Sequence, residues 1–77
     1  MGGLVMYKMT VHSKFLHTPI FNKTLTCDSR IEATVLAFSK LKSLMGTQLI
    51  ALKKVSTNKH TVFVRGQFAG ELILRKL

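Results

Sequence analysis

Three histidines, one cysteine and three acidic residues are the side chains that could carry catalysis or hold a metal. Their spacing supports neither. His12, His17 and His60 have no i, i+4 pairing and no supporting cysteines, so titrating or solvent-facing imidazoles are the plainer reading than a metal set. Cys27 is alone, which excludes an internal disulfide and a multi-cysteine zinc site. It lies in an apolar-leaning stretch just before a helix and reads as a small buried hydrophobe. Asp28, Glu32 and Glu71 are committed to capping and turn roles, leaving no paired carboxylates for acid–base work. Gly66 and Gly70 flank an aromatic-centred segment that lacks the lysine and hydroxyl of a P-loop. Small basic ribonucleases can work with histidine and lysine alone, and that is the one enzymatic alternative. The expectation is a chain with no catalytic residues, no metal and no cofactor.

Positive charge is what the chain holds in quantity. Twelve Lys and Arg against three acids give a formal charge of +9 over 77 residues. Such a field favours polyanions: DNA, RNA, an anionic membrane or an acidic protein surface. A role in solubility alone is the bland alternative, opposed by the self-repulsion that the charge imposes on a compact chain. The RNP aromatic consensus, a GXXG clamp and a helix-turn-helix pair are all missing. Cations spread along strands, without a base-reading helix, imply backbone contact with low sequence specificity.

The elements that position these cations are legible in outline. Residues 28–46 form one helix: Ser29 and Glu32 make a capping box, Asp28 is an alternative cap, and Gly46 ends it. At about 100° per residue, Ile31, Ala33, Val35, Ala37, Phe38, Leu41, Leu44 and Met45 form a broad apolar face, with Lys42 at its edge and Leu36 on the polar side. Residues 4–15 alternate as a half-buried strand, with Tyr7, Met9 and Val11 on one side and Lys8, Thr10, His12 and Lys14 on the other. Residues 15–19 interrupt it at Pro19, and 20–27 read as a second strand, hairpin-paired and at an edge. Residues 47–55 make a third strand, apolar on both sides. A polar turn at 56–60 follows, then a strand at 61–65, a turn at 66–70 and a last strand at 71–77. The layout is β-β-α-β-β-β, an α+β single domain spanning residues 1–77 with the helix packed on a mostly antiparallel sheet. The helical crossover should be right-handed if it joins parallel neighbours.

The sheet face away from the helix carries the functional expectation. With Val62, Val64, Leu72 and Leu74 under the helix, Phe63, Arg65, Ile73 and Arg75 face away, and the third strand could add Ile50, Leu52 and Lys54. The candidate nucleic-acid-binding residues are Lys8, His12, Lys14, Lys53, Lys54, Lys59, Phe63, Arg65, Arg75 and Lys76. Phe63 amid cations fits base stacking. It fits equally a sheet-to-sheet homodimer with a basic rim, or a core residue assigned to the wrong face.

The strand YKMTVHSK at 7–14, the capped helix followed by GTQLIALKKV, and the basic end ILRKL together resemble small counter-defence proteins encoded by bacteriophages. These include TifA-like RNA-binding inhibitors of ToxN-type toxins and small anti-CRISPR proteins. The resemblance is one of layout across most of the chain. It implies action by binding, frequently as a dimer, with a host toxin or defence complex as target. The expected function is non-enzymatic nucleic-acid binding, RNA ahead of DNA. The alternative is a protein-interaction inhibitor that binds an acidic or nucleic-acid-binding surface of a host protein. The apolar runs are too short to span a bilayer, no signal-peptide pattern is present, and position 6 lacks the hydroxyl of a myristoylation signal. The expectation is therefore a soluble protein of the cytoplasm with no membrane partner.

Overall fold

Ser29 starts the helix as its sequence demands. Its Oγ accepts from the Glu32 N–H at 3.2 Å, while Glu32 Oε1 accepts from the Asp28 N–H at 3.0 Å. The first bond satisfies a donor that the first turn leaves orphaned, and the second reaches one residue past the cap, so Glu32 holds the Asp28 N–H where a strict capping box would hold that of Ser29. Gly46, at φ 68°, ends the helix in the left-handed conformation, its N–H bonded to the Lys42 carbonyl. The computed structural model describes residues 3–13 and 20–77. Lys14 and the interruption at 15–19 lie outside the described residues.

The elements run β1 (Val5–His12), β2 (Ile20–Cys27), α1 (Arg30–Met45), β3 (Ile50–Lys54), β4 (Lys59–Val64) and β5 (Gln67–Lys76). This is an α+β fold: one helix on one face of a five-stranded sheet, in the spatial order β2-β1-β5-β4-β3. Every neighbouring pair is antiparallel. β2 is an edge strand, as its weak alternation indicates. The crossover through α1 joins the two opposite edges, β2 and β3, so it links no parallel neighbours and the handedness condition does not arise. Among the described residues no helix is long and apolar enough to cross a membrane.

The core lies between α1 and the sheet. Met9, Val11, Val62, Leu72 and Leu74 are fully shielded, and Ala33, Ala37 and Leu41 meet them from the helix. Cys27 is buried beside Tyr7 and Ala33, in the small-hydrophobe role expected of it. The helix face is narrower than its periodicity implies. Ile31 and Val35 are 78% and 61% exposed, because the i, i+4 line Ala33–Ala37–Leu41 forms the seam and those two residues project past it towards β3. Leu36 remains on the surface.

Two sequence expectations for the strands are overturned. Ile50 and Leu52 do not join the open face: Ile50 is buried in the core and Leu52 packs against it. Lys54 shares their side of β3, leaving Ala51 and Lys53 on the other. A strand apolar on both sides carries no parity signal, and a one-residue slip reverses every assignment. The expected turn at 66–70 is also displaced. Arg65 (φ 53°) and Gly66 (φ 80°) make a two-residue hairpin turn between the paired Val64 and Gln67. Positive φ at both central residues matches the right-handed strand twist. Gln67, Phe68 and Ala69 therefore belong to β5. The second glycine serves a different purpose. At the irregularity near Val62, Gly70 (φ 153°) lets β5 pass so close to β1 that a Cβ there would overlap the His12 carbonyl oxygen.

Candidate nucleic-acid interface

Strand register sorts the uncovered sheet face into rows, because directly paired residues share a face. Thr24, Lys8 and Arg75 form one row across β2, β1 and β5. Asn22, Thr10, Ile73 and Lys59 form the next, and Ile20, His12, Glu71, Thr61 and Lys53 run across all five strands. Phe68, Phe63 and Ala51 close the far end. Thr10 Oγ1 donates to Asn22 Oδ1 at 2.8 Å, tying the middle of this face together.

Lys8 and Arg75 are directly opposed on adjacent strands, both exposed. Like charges in that relation cost roughly 0.2–1 kcal/mol, and no acidic side chain shares their row. Among the described residues, neither they nor Lys53 has an ion-pair partner. The sole acid on this face, Glu71, pairs with Lys59 at 2.9 Å across a diagonal. Lys59 is therefore partly neutralised, while Lys8, Arg75 and Lys53 keep their full field.

Cations on the helix side are engaged differently. Lys40 lies 5.8 Å from the Phe21 ring centroid and Lys42 4.5 Å from that of Phe38. Arg30 lies 5.1 Å from the Tyr7 centroid and donates to the Thr57 carbonyl and to Asn58 Oδ1, both at 2.9 Å. The Lys40 and Arg30 contacts fasten the helix to β2, β1 and the β3–β4 turn, while Lys42 and Phe38 meet within the helix. The excess charge thus divides into cations held by aromatic rings and backbone oxygens, and cations left free.

Of the ten sequence-predicted residues, the fold gathers Lys8, His12, Lys53, Lys59, Phe63 and Arg75 on the uncovered face. Arg65 sits in the turn at its end and not on a strand. Lys54 and Lys76 fall on the helix side, Lys76 because it pairs with Tyr7. Lys14 is outside the described residues. Phe68 is the residue that sequence reading missed: it is 64% exposed and directly opposes Phe63. The signal was the Arg-Gly dipeptide between two apolar–aromatic runs, which places a two-residue turn one step earlier. A shallow groove beside Phe68 is lined by His12, Ile20 and Glu71.

His60 lies on the helix side, 9% exposed. Burial, then the positive charges of Lys54 and Arg30, hold it below its ordinary value of 6.5. Both effects favour the neutral imidazole in the folded chain. Among the described residues no group of histidine, cysteine and acid side chains could hold a metal ion. No known protein family, curated protein or solved structure matches the chain.

Proposed function

We propose that this protein is a non-enzymatic nucleic-acid-binding module that holds single-stranded RNA, ahead of DNA, across its uncovered sheet face. The observation that carries this reading is the unpaired Lys8–Arg75 opposition, a local instability that a phosphate between the two cations would relieve. Lys53 and the hydroxyls of Thr24 and Thr61 extend the track. Phe63 and Phe68 supply an aromatic platform at one end. An open sheet with one exposed ring, Phe68, beside the half-buried Phe63 suits unstacked bases better than a duplex, which favours RNA single strands. Contacts of this kind read the backbone and confer little sequence preference. A cytoplasmic inhibitor of a host defence nucleoprotein or toxin, phage-encoded as the layout resemblance implies, is the setting that suits such a module.

Binding of a short oligouridine at several salt concentrations tests the reading. Phe68→Ala and Phe63→Ala should each weaken binding by about 1–3 kcal/mol if bases stack there, Phe68→Ala without loss of fold. No detectable binding by the parent protein at low salt would favour the rival reading, inhibition through an acidic surface of a host protein.

A homodimer through the β3 edge belongs to the same proposal. Among the described residues no strand lies beside that edge, and Leu49 and Val55 at its ends are 60% and 58% exposed. Two-fold antiparallel pairing about Leu52 sets Lys54 against the second copy's Ile50, keeping lysines apart. Ile50 and Leu52 are covered by the helix side, so the drive is edge pairing and not a broad apolar patch. Light scattering at high micromolar concentration should report twice the chain mass; monomer alone, with and without RNA, would remove the dimer.

A further inference from the structure

From the groove between the start of α1 and the end of β3, on the face opposite the proposed RNA track, we infer a second anion site that takes a phosphomonoester group. Arg30, Lys54, Thr34, Thr57 and His60 line it. Three of these are cationic or titratable nitrogen groups, and no acid faces them in the groove. Arg30 is fixed in advance: the Tyr7 ring supports it, and its bonds to Thr57 and Asn58 set the guanidinium plane. Those bonds use two of its five N–H donors, leaving the others for a ligand. Lys54 has no ion-pair partner among the described residues.

His60 provides the independent observation. Its Nδ1 is closed off from solvent and has no hydrogen-bond partner. That orphaned atom decides which nitrogen faces the groove as a donor. A proton on Nδ1 would be a buried donor with no acceptor, so the neutral ring carries its proton on Nε2 and can donate it to an anion in the groove. Ile31 and Val35 complete the lining of the groove on its helix side. Three nitrogen groups lining one groove suit a doubly charged tetrahedral oxyanion better than a diester carrying one charge. The site does not depend on the sheet face binding RNA.

The fold offers an internal control. Lys53 and Lys54 are neighbours on opposite faces of β3, so Lys53→Gln and Lys54→Gln change the net charge identically and differ only in which face they alter. Inorganic phosphate, titrated while the His60 imidazole and Arg30 Nε resonances are followed by NMR, should give saturable shifts and raise the His60 titration midpoint. Lys54→Gln should weaken this binding about tenfold, the loss of one charge-assisted bond, and Lys53→Gln less than about twofold, since only its distant field is removed. The same oligouridine with a 5′-phosphate or a 5′-hydroxyl separates the two sources of the group. Preference for the 5′-phosphate, lost in Lys54→Gln, assigns the site to an RNA terminus. Equal binding of both, with phosphate still saturating the groove, assigns it to a free phosphate compound. Non-saturating shifts, equal losses in both lysine variants, or the same shifts with acetate would overturn the inference.

Discussion

Gly70→Ala should destabilise the fold by about 3 kcal/mol or more, beyond what a methyl group ordinarily costs. The new Cβ would meet the His12 carbonyl oxygen, with the Ser13 Cβ beside it. A backbone oxygen in a strand pair cannot turn aside as a flexible side chain can, so β1 and β5 must separate locally. The φ of 153° adds a conformational penalty for any L side chain. Gly66→Ala is the natural comparison. Gly66 also needs positive φ, but nothing lies within 4 Å of the added Cβ, and the cost should stay near about 1 kcal/mol. Chemical denaturation of both variants measures the difference. Equal losses would mean that the strand pair relaxes around the methyl group, and that the close approach of β5 to β1 is not a fixed constraint. The position also matters for the proposed interface, because His12 and Glu71 are paired beside it.

Gly70 illustrates where the sequence was readable and where it was not. Signals that act within a few residues came through: the Ser29–Glu32 box, the Gly46 terminus, and the alternation of Tyr7, Met9 and Val11 against Lys8, Thr10 and His12. These depend on local bonding and on one face being apolar. Signals that depend on the neighbouring strand did not. Two glycines four residues apart look like the ends of one turn, yet Gly66 makes a turn and Gly70 a close approach to a strand distant in sequence. Leu49-Ile50-Ala51-Leu52 is apolar on both sides, so only its pairing with β4 decides that Lys53 faces the open sheet and Lys54 the helix. The exposure of Ile31 and Val35 has a similar origin. Periodicity identifies an apolar arc, whereas the small side chains of Ala33 and Ala37 decide which line within it meets the sheet. The candidate interface was accordingly legible as a charge excess with one correct face on β1, β4 and β5. The opposition of Lys8 and Arg75 was hidden, because it exists only once β5 is laid beside β1.

That opposition yields a prediction in which stability and binding move in opposite directions. Lys8→Gln/Arg75→Gln should hold or raise folding stability by a few tenths of a kcal/mol, since it removes like charges placed directly across a strand pair. A merely structural pair of cations would show no more than this. If the two side chains grip phosphates, the same variant should lose RNA affinity, and the slope of log affinity against log salt should fall by about 0.7 for each lost single-strand contact. The loss should apply to every sequence alike, because phosphate contacts position the strand without reading it. Lys40→Gln/Lys42→Gln removes the same net charge from the helix side, where both lysines lie against aromatic rings. It should leave the slope nearly unchanged while costing some stability through lost cation–π contact. Circular dichroism melts and oligouridine titrations at four salt concentrations supply both readouts. A fall in slope shared equally by the two doubles would point to a diffuse field in place of a defined track. An unchanged slope in Lys8→Gln/Arg75→Gln, with the parent protein binding RNA, would place the contacts elsewhere on the molecule. The combination expected here, a more stable fold with a weaker and less salt-sensitive grip on RNA, is what distinguishes a surface kept charged for a ligand from one kept charged for solubility.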